Sequence, residues 1–343
     1  MFHPQFEISP GLLNLIAEIA GVRELILSSA ILPQWDIRLK REAFLRMAHH
    51  STAIEGNPLE PKQVAGLVGG KDVAARERDK REVLNYLDTL RWIDQLGERG
   101  LKRLADNTIL DIHNRLMEGL LPLESLGKIR QEPVAIFDRG GRVVCQTPPA
   151  GQIPQLIGSL LAWLNGPADA LHPVIVSAIA HYELVRIHPF LDGNGRTARL
   201  LATLILYLRG FDTKRFFALD EFYNDNLDRY YHALATADRT GDLSGWLEYF
   251  AEGVAVSLKR VKEAIRELSL DSRLRESKGQ IYLEPRQIRV LRSLQHQQRI
   301  RIADVQGMFS VTRETANRIL EPLLSAGLIV RKGLGRATYY ELG

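Results

Sequence analysis

Apolar residues recur at threes and fours along most of the chain, the period of helices that bury one face. From Ile37 to Glu55 the positions Leu39, Phe44, Met47, Ala48 and Ile54 form such a stripe, and Gly56, Asn57 and Pro58 end it. Residues 75–96 repeat the pattern with Val83, Leu84, Leu87, Leu90 and Ile93. Further helices are predicted from near Ile153, over 173–186, 196–209 and 225–237, and from 243 into the 260s. The exception is Glu132 to Thr147. There Val134, Ile136 and Phe137 precede Asp138 to Gly141 and then Val143, Val144 and Cys145, a hairpin pattern closed by Pro148 and Pro149.

The pattern changes after Ser269. Asp271 to Gln280 is polar and is expected to be a linker or a fraying helix end. Helices are then predicted at Pro285 to Leu294, at Ile302 to Phe309, and from the N-cap Thr312 to Ser325. Strands follow at Leu328 to Val330 and Thr338 to Glu341, around Gly333 to Gly335. Three helices followed by a hairpin outline a winged helix-turn-helix. The expected division is an N-terminal helical region 1–104, a central domain 105–270, a linker 271–283 and a C-terminal domain 284–343.

Charge and cysteine content narrow the classes. The formal net charge of the 343 residues is +4, but residues 271–343 hold 13 Lys/Arg against 7 Asp/Glu, so the basicity belongs to the C-terminal part. A polyanion partner is to be sought there. Cys145 is the single cysteine, which excludes an internal disulfide framework and a cysteine zinc site. No charged-then-apolar leader and no membrane-length apolar run is visible, so the expectation is a cytoplasmic protein with no membrane partner.

The chemistry gathers in Ile187-His188-Pro189-Phe190-Leu191-Asp192-Gly193-Asn194-Gly195-Arg196-Thr197-Ala198-Arg199, between two predicted helices. Gly193 and Gly195 allow a tight turn that exposes backbone N–H groups, and the helix starting there adds its positive end, which together seat a phosphate. Arg196 and Arg199, three apart, project from one helix face toward the same anion. Asp192 offers the hard oxygen that Mg²⁺ on a polyphosphate requires. His188 can exchange a proton near neutral pH. Any one of these alone describes an ordinary helix end or turn; their order within one short segment points to a nucleotide site.

His188 to Arg199 matches every specified position of the motif His-Pro-Phe-x-(Asp/Glu)-Gly-Asn-Gly-Arg-x-x-Arg, and on it the chain resembles the Fic family. The resemblance implies a mainly α fold, a Fic-type helical bundle with a β-hairpin flap, here followed by the winged helix-turn-helix. It also implies transfer of AMP from ATP to a Tyr, Thr or Ser hydroxyl of a target protein, with pyrophosphate leaving. By that match His188 would be the general base and Asp192 would hold Mg²⁺. Gly193, Asn194 and Gly195 would form the anion hole, with Arg196 on the β-phosphate and Arg199 on the γ-phosphate. Glycine at 195, where the phosphate-transferring Doc branch typically has lysine, favours AMP transfer. The hairpin, with Val134, Ile136, Val143 and Val144, falls where the family lays a target segment along a flap. Tyr230, Tyr231 and Asp238 fall where relatives place the adenine pocket, although the family often has Asn at the last position.

Ser51-Thr52-Ala53-Ile54-Glu55-Gly56 resembles the family's inhibitory signature (Ser/Thr)-x-x-x-Glu-(Gly/Asn), here on the N-terminal side of the catalytic motif. Ser51 and Glu55 share a helix face. By analogy Glu55 would pair with Arg199 and deny it to the γ-phosphate. The same glutamate could instead direct a water in removal of AMP from a modified target, and the residues do not choose between the two directions. A DNA-binding regulator is a separate reading, resting on Arg313 and Arg318 of the third C-terminal helix and on Arg331, Lys332 and Arg336 of the wing. An inactive scaffold is a third reading, opposed by the intact motif. Residues 1–36 are apolar enough to pack on the domain or on a second copy, as in a homodimer.

Overall fold

The computed structural model describes every residue except 1, 30, 32, 100–102, 138–142, 212, 276–282, 334 and 336–337. It is mainly helical and separates into two compact units, Met1–Leu27 with Ala43–Lys262, and Ser28–Glu42 with Glu263–Gly343. The elements run α1 (Pro10–Ser28), α2 (Pro33–Ile54), α3 (Pro61–Val68), α4 (Glu77–Glu98), α5 (Thr108–Met117), β1 (Ala135–Phe137), β2 (Val143–Gln146), α6 (Ile153–Leu164), α7 (Pro173–Ile187), α8 (Asn194–Leu208), α9 (Leu219–Asp225), α10 (Leu227–Thr240) and α11 (Ser244–Arg275). After them come α12 (Pro285–Gln297), α13 (Ile302–Phe309), α14 (Arg313–Ser325), β3 (Ile329–Lys332) and β4 (Tyr339–Leu342). Among the described residues no helix is long and apolar enough to cross a membrane.

The division differs from the sequence expectation because two helices ignore it. Both α2 and α11 give residues to each unit, residue 104 lies within the first unit, and α11 runs through 271. The helix continues to Arg275, and the rest of the expected linker lies largely outside the described residues, as do the hairpin turn 138–141 and Arg336. The helix expected over 225–237 is α10, started by Asn226, whose side chain accepts from Arg229 N at 3.0 Å, and the short α9 before it had no counterpart in the expectation. The helix α1 had no counterpart in the expectation.

In the first unit α7 and α8 are the centre. Both are buried on nearly every face, from Val174 to Leu184 and over most of Asn194 to Tyr207, which a helix tolerates only when other helices surround it. Neighbours α4 and α5 pack on α8, and α6 packs on α7. Behind the pair lies an aromatic layer. His181 on α7 donates to or accepts from Tyr230 Oη at 2.9 Å, and its ring meets the edges of Tyr223, Trp246 and Phe250. Trp246 closes the layer by donating from Nε1 to Ala178 O at 2.7 Å. Burial pushes the His181 imidazole well below its ordinary range, so it is a neutral core side chain.

In the second unit α12, α13 and α14 are followed by the antiparallel pair β3–β4, in the element order expected for a winged helix-turn-helix. Its core gathers Val290, Leu291, Leu294, Ile319, Leu320, Leu323 and Ile329, and Ile37 of α2 belongs to the same cluster. Thr312 caps α14 by accepting from Thr315 N, and Lys332 in β3 pairs with Glu341 at 2.7 Å.

Replacing Trp246 with Phe keeps a ring but removes the N–H and some volume. The expected loss of stability is about 1–3 kcal/mol in urea unfolding, from the hydrogen bond and the cavity together. An unchanged midpoint would contradict the aromatic layer as described.

Candidate active site

The turn between α7 and α8 is built by side chains that clasp its backbone. His188 ends α7 in the left-handed region, φ 50° and ψ 60°, with its N–H donating to Leu184 O at 3.1 Å. Asn194 reaches back, accepting from Phe190 N and donating to Phe190 O, both at 2.9 Å. Its amide side chain is thus used on the turn, and only its backbone is available to an anion. Phe190 is fully buried and stacks on His113, with ring centroids 3.7 Å apart. His113 Nδ1 accepts from Gly127 N at 3.0 Å, so Nε2 carries the proton and donates to Asp192 O at 3.1 Å. Burial lowers the His113 pKa to about 4, which keeps that arrangement neutral.

Glycine serves two positions of the turn for different reasons. Gly193 has φ 80°, and a Cβ there would lie 2.7 Å from Met117 Sδ. Gly195 has ordinary helical geometry, but a Cβ there would lie 2.6 Å from Glu55 Oε1 and 3.1 Å from Arg199 Nη1. The first glycine shapes the turn, and the second leaves room for a carboxylate against the start of α8. No side chain caps that helix start. Its first N–H groups and its positive end therefore face the place where the Glu55 oxygen rests.

The two arginines of α8 are buried and each is met by carboxylates. Arg199 Nη2 donates to Glu55 Oε1 at 2.8 Å and to Ser51 O at 3.0 Å, while Nε donates to Ser51 Oγ at 2.7 Å. Asp220 stands on its other side, 3.2 Å from Nε. Burial opposes the charge of Arg199, yet Glu55, Tyr230 and Asp220 hold its pKa above the ordinary arginine value. Arg196 pairs with Glu82 and, at 3.1 Å, with Asp192 Oδ1. Glu82 is held from behind by Asn57 Nδ2 at 2.7 Å, and burial raises its pKa. These groups border a cleft of about 300 Å³ lined by Glu55, Asn57, Arg78, Glu82, Asp192 and Arg196 among others.

His188 is half-buried, and its Nδ1 lies 3.2 Å from Val185 O. A carbonyl can only accept, so Nδ1 carries the proton and Nε2 is the basic nitrogen. Burial lowers its pKa below the ordinary 6.5, with Arg130 adding in the same direction. Asp192 is the most exposed of the acidic groups here, at 41% of its side chain. Among the described residues no group of three or more His, Cys, Asp or Glu is gathered for a metal.

Residues 103–206 match the Fic/DOC family. Over these residues the chain is similar to Fic domains. Protein adenylyltransferase Fic of Drosophila willistoni is 31% identical over 222 residues, which cover 63% of this chain and 41% of that protein. Protein adenylyltransferase fic-1 of Caenorhabditis briggsae is 32% identical over 238 residues, 67% of this chain and 43% of that one. The chain thus spans about two fifths of the length of the curated relatives it matches. Among solved structures, a Fic family protein from Desulfovibrio desulfuricans G20 aligns with TM-score 0.68 and 28% identity, over 100% of this chain and 98% of that chain. Fic-1 from C. elegans aligns with TM-score 0.64 and 27% identity, over 75% of this chain and 73% of that chain.

The remaining expected site residues of the Fic domain are placed unequally. Strands β1 and β2 pair antiparallel, with Ile136 opposite Cys145 and an irregularity before Phe137, and Val134 at their base is half-buried. The side chains of Ile136, Val143 and Val144 lie outside the description. Helix α10 lies against β2. On it Tyr231 is 42% exposed and Asp238 is half-buried, close enough for its charge to act on Arg186. Tyr230 is a correction. At 1% exposure it belongs to the aromatic layer behind Arg199, so it cannot present its ring to a base arriving from solvent.

Sequence reasoning missed His113, Glu82, Asp220 and Arg130. Each lies 21 or more residues from the motif, and each sits in a helix or loop where a lone polar residue carries no periodic signal. The one available hint was a histidine on the apolar face of α5, ordinarily a core residue.

Gly193→Ala should cost about 1–3 kcal/mol in urea unfolding, because the side chain is added in the left-handed region and against Met117. Gly151→Ala, where a Cβ meets nothing within 4 Å, should leave the midpoint level or slightly raised. Equal effects at both positions would contradict the tight turn.

Proposed function

We propose that this protein transfers AMP from ATP to a hydroxyl of a target protein and that Glu55 restrains it. The observation that carries the reading is the position of one carboxylate oxygen. Glu55 Oε1 lies on Arg199 Nη2 and over Gly195, so the negative charge rests where the phosphates of a nucleotide would meet the start of α8. The names of the curated relatives support AMP transfer as the reaction.

ATP would lie along the cleft with its γ-phosphate on Arg199 and its β-phosphate on Arg196. The N–H groups of Asn194 and Gly195 would then face the phosphate chain, as a helix start does for an anion. A target Tyr, Thr or Ser oxygen would attack the α-phosphorus, with its proton passing to Nε2 of His188. The bond to pyrophosphate then breaks. Tyr231 and Asp238 on α10 are the groups for the adenosine end, and the β1–β2 hairpin is the surface for an extended target segment.

Mg²⁺ fits the donors present. A carboxylate 41% exposed at the edge of a phosphate seat, though shared with Arg196, suits an ion that takes one or two carboxylates and completes its shell with phosphate and water oxygens. Asp192 would hold it, and the ion would neutralise charge on the phosphates. The exposed Ile8, Leu13 and Leu25 support a second copy of the chain as a partner.

Glu55→Gly should raise incorporation of label from α-labelled ATP into protein by roughly ten- to a hundredfold. That is the factor for removing one competing charge-assisted contact of about 1.5–3 kcal/mol. Adding His188→Ala should abolish the signal. Labelling unchanged by the glutamate substitution would remove the restraint, and labelling that survives loss of the imidazole would remove the base.

The pH dependence has a fixed sign. His188 acts only when neutral, and its pKa is lowered, so activity of the Glu55→Gly protein should persist below pH 6.5 and fall on further acidification. A midpoint above 6.5 in the rate of AMP transfer would contradict the buried imidazole as base.

A further inference from the structure

Arg130 joins the hairpin to the catalytic turn. Arg130 is 2% exposed, and among the described residues its guanidinium makes four hydrogen bonds, each to a neutral oxygen. Nε donates to His188 O at 2.8 Å and Nη1 to Glu132 O at 2.7 Å. Nη2 donates to Thr147 Oγ1 at 2.9 Å and Pro148 O at 2.7 Å. The backbone N–H of Arg130 donates to Pro189 O at 2.9 Å, so both its main chain and its side chain hold the turn. On the hairpin side the contacts bracket both strands. Glu132 precedes β1, Thr147 and Pro148 follow β2, and Thr147 Oγ1 donates across to Val134 O at 2.5 Å.

A guanidinium buried among neutral oxygens pays desolvation with no full opposite charge in return, and burial lowers its pKa accordingly. Closing a hairpin does not need such a residue. The acceptors have in common that they form the junction between the two strand bases and the carbonyl of the catalytic histidine. The planar fork is the side chain that can fix several oxygens of different segments in one plane.

We propose that Arg130 is a positioning residue that sets the register of the hairpin against His188, so that a hydroxyl on a segment laid along the strands arrives within reach of Nε2. The inference rests on the reading of the hairpin as the docking surface for the target. A strand steps about 3.3 Å per residue, and a misplacement of about 1 Å between reacting atoms can cost about a hundredfold. A flap hinged loosely at its base would therefore bind a segment without delivering its hydroxyl. His188 also has anchors that do not involve the Arg130 side chain, because its N–H and Nδ1 bond to Leu184 O and Val185 O within α7, and the Arg130 main chain still holds Pro189 O. Transfer to protein and transfer to water should thus respond differently.

The test uses the full chain with Glu55→Gly, incubated with Mg²⁺ and α-labelled ATP, reading labelled protein, free AMP and ATP affinity separately. Arg130→Lys, which keeps the charge and loses the fork, should lower labelled protein about tenfold or more. Free AMP release and ATP affinity should stay within about threefold of the parent, since the phosphate seat and the base remain. Thr147→Val, a milder change at the same junction, should act in the same direction by several-fold, and it decides the matter if the arginine variant does not fold. Unchanged labelling in both variants overturns the proposal. A parallel fall of labelled protein, free AMP and ATP affinity overturns it too, and assigns Arg130 to general support. If Glu55→Gly alone produces neither labelled protein nor AMP, the reading of the reaction has failed and this inference falls with it.

Discussion

The buried guanidinium of Arg199 is held between two carboxylates, and the site is organised around that pairing. Its side chain is 2% exposed, and losing the partner of such a cation typically costs about 3–5 kcal/mol. Two carboxylates serve it from opposite sides. Asp220 is itself buried, 3.2 Å from Nε, with Tyr86 donating to it, so it is a permanent neighbour. Glu55 sits at the end of α2 with 28% of its side chain exposed, so it can leave. On the proposed reading, an anion from solution takes the outer edge of the guanidinium when Glu55 leaves while Asp220 keeps the inner one, and restraint and substrate are alternative answers to one electrostatic demand.

The surrounding structure keeps that exchange local. The turn from His188 to Gly193 is fixed by Asn194 on Phe190, by the stacked and neutral His113, and by a glycine that a larger residue could not replace without meeting Met117. Arg196 has its own pair in Glu82, which Asn57 holds two residues beyond Glu55. The segment that ends α2 therefore touches both arginines, one directly and one through Glu82. The left-handed Gly56 between them, with φ 91°, is where the chain can turn.

Much of this was legible in the sequence, and the reasons differ by element. The motif was readable because its chemistry is contiguous: a turn, a helix start, two arginines and a base follow one another along the chain. Helices α7 and α8 announced themselves by periodic apolar residues, and Glu55 by a short signature that the downstream motif made meaningful. Contacts between distant segments left no such trace. Arg130 bonds His188 across 58 residues and Glu82 meets Arg196 across 114, and neither pairing has a local pattern. Helical spacing also failed to distinguish the consecutive Tyr230 and Tyr231, one in the core and one exposed. Composition shifts suggested a linker from 271, through which α11 runs on to Arg275. Helix α1 was hidden by Pro10, Gly11 and Gly21, residues that punctuate a sequence more often than they continue a helix.

The central claim is that the Glu55 carboxylate and the terminal phosphate of ATP occupy the same place. A crystal structure of the Glu55→Gly chain grown with ATP and Mg²⁺ tests it most directly. The account predicts a γ-phosphate oxygen within hydrogen-bond distance of Arg199 Nη2, beside Gly195, with Asp220 still on Nε. Nucleotide bound elsewhere, or bound with Arg199 making no phosphate contact, would contradict it.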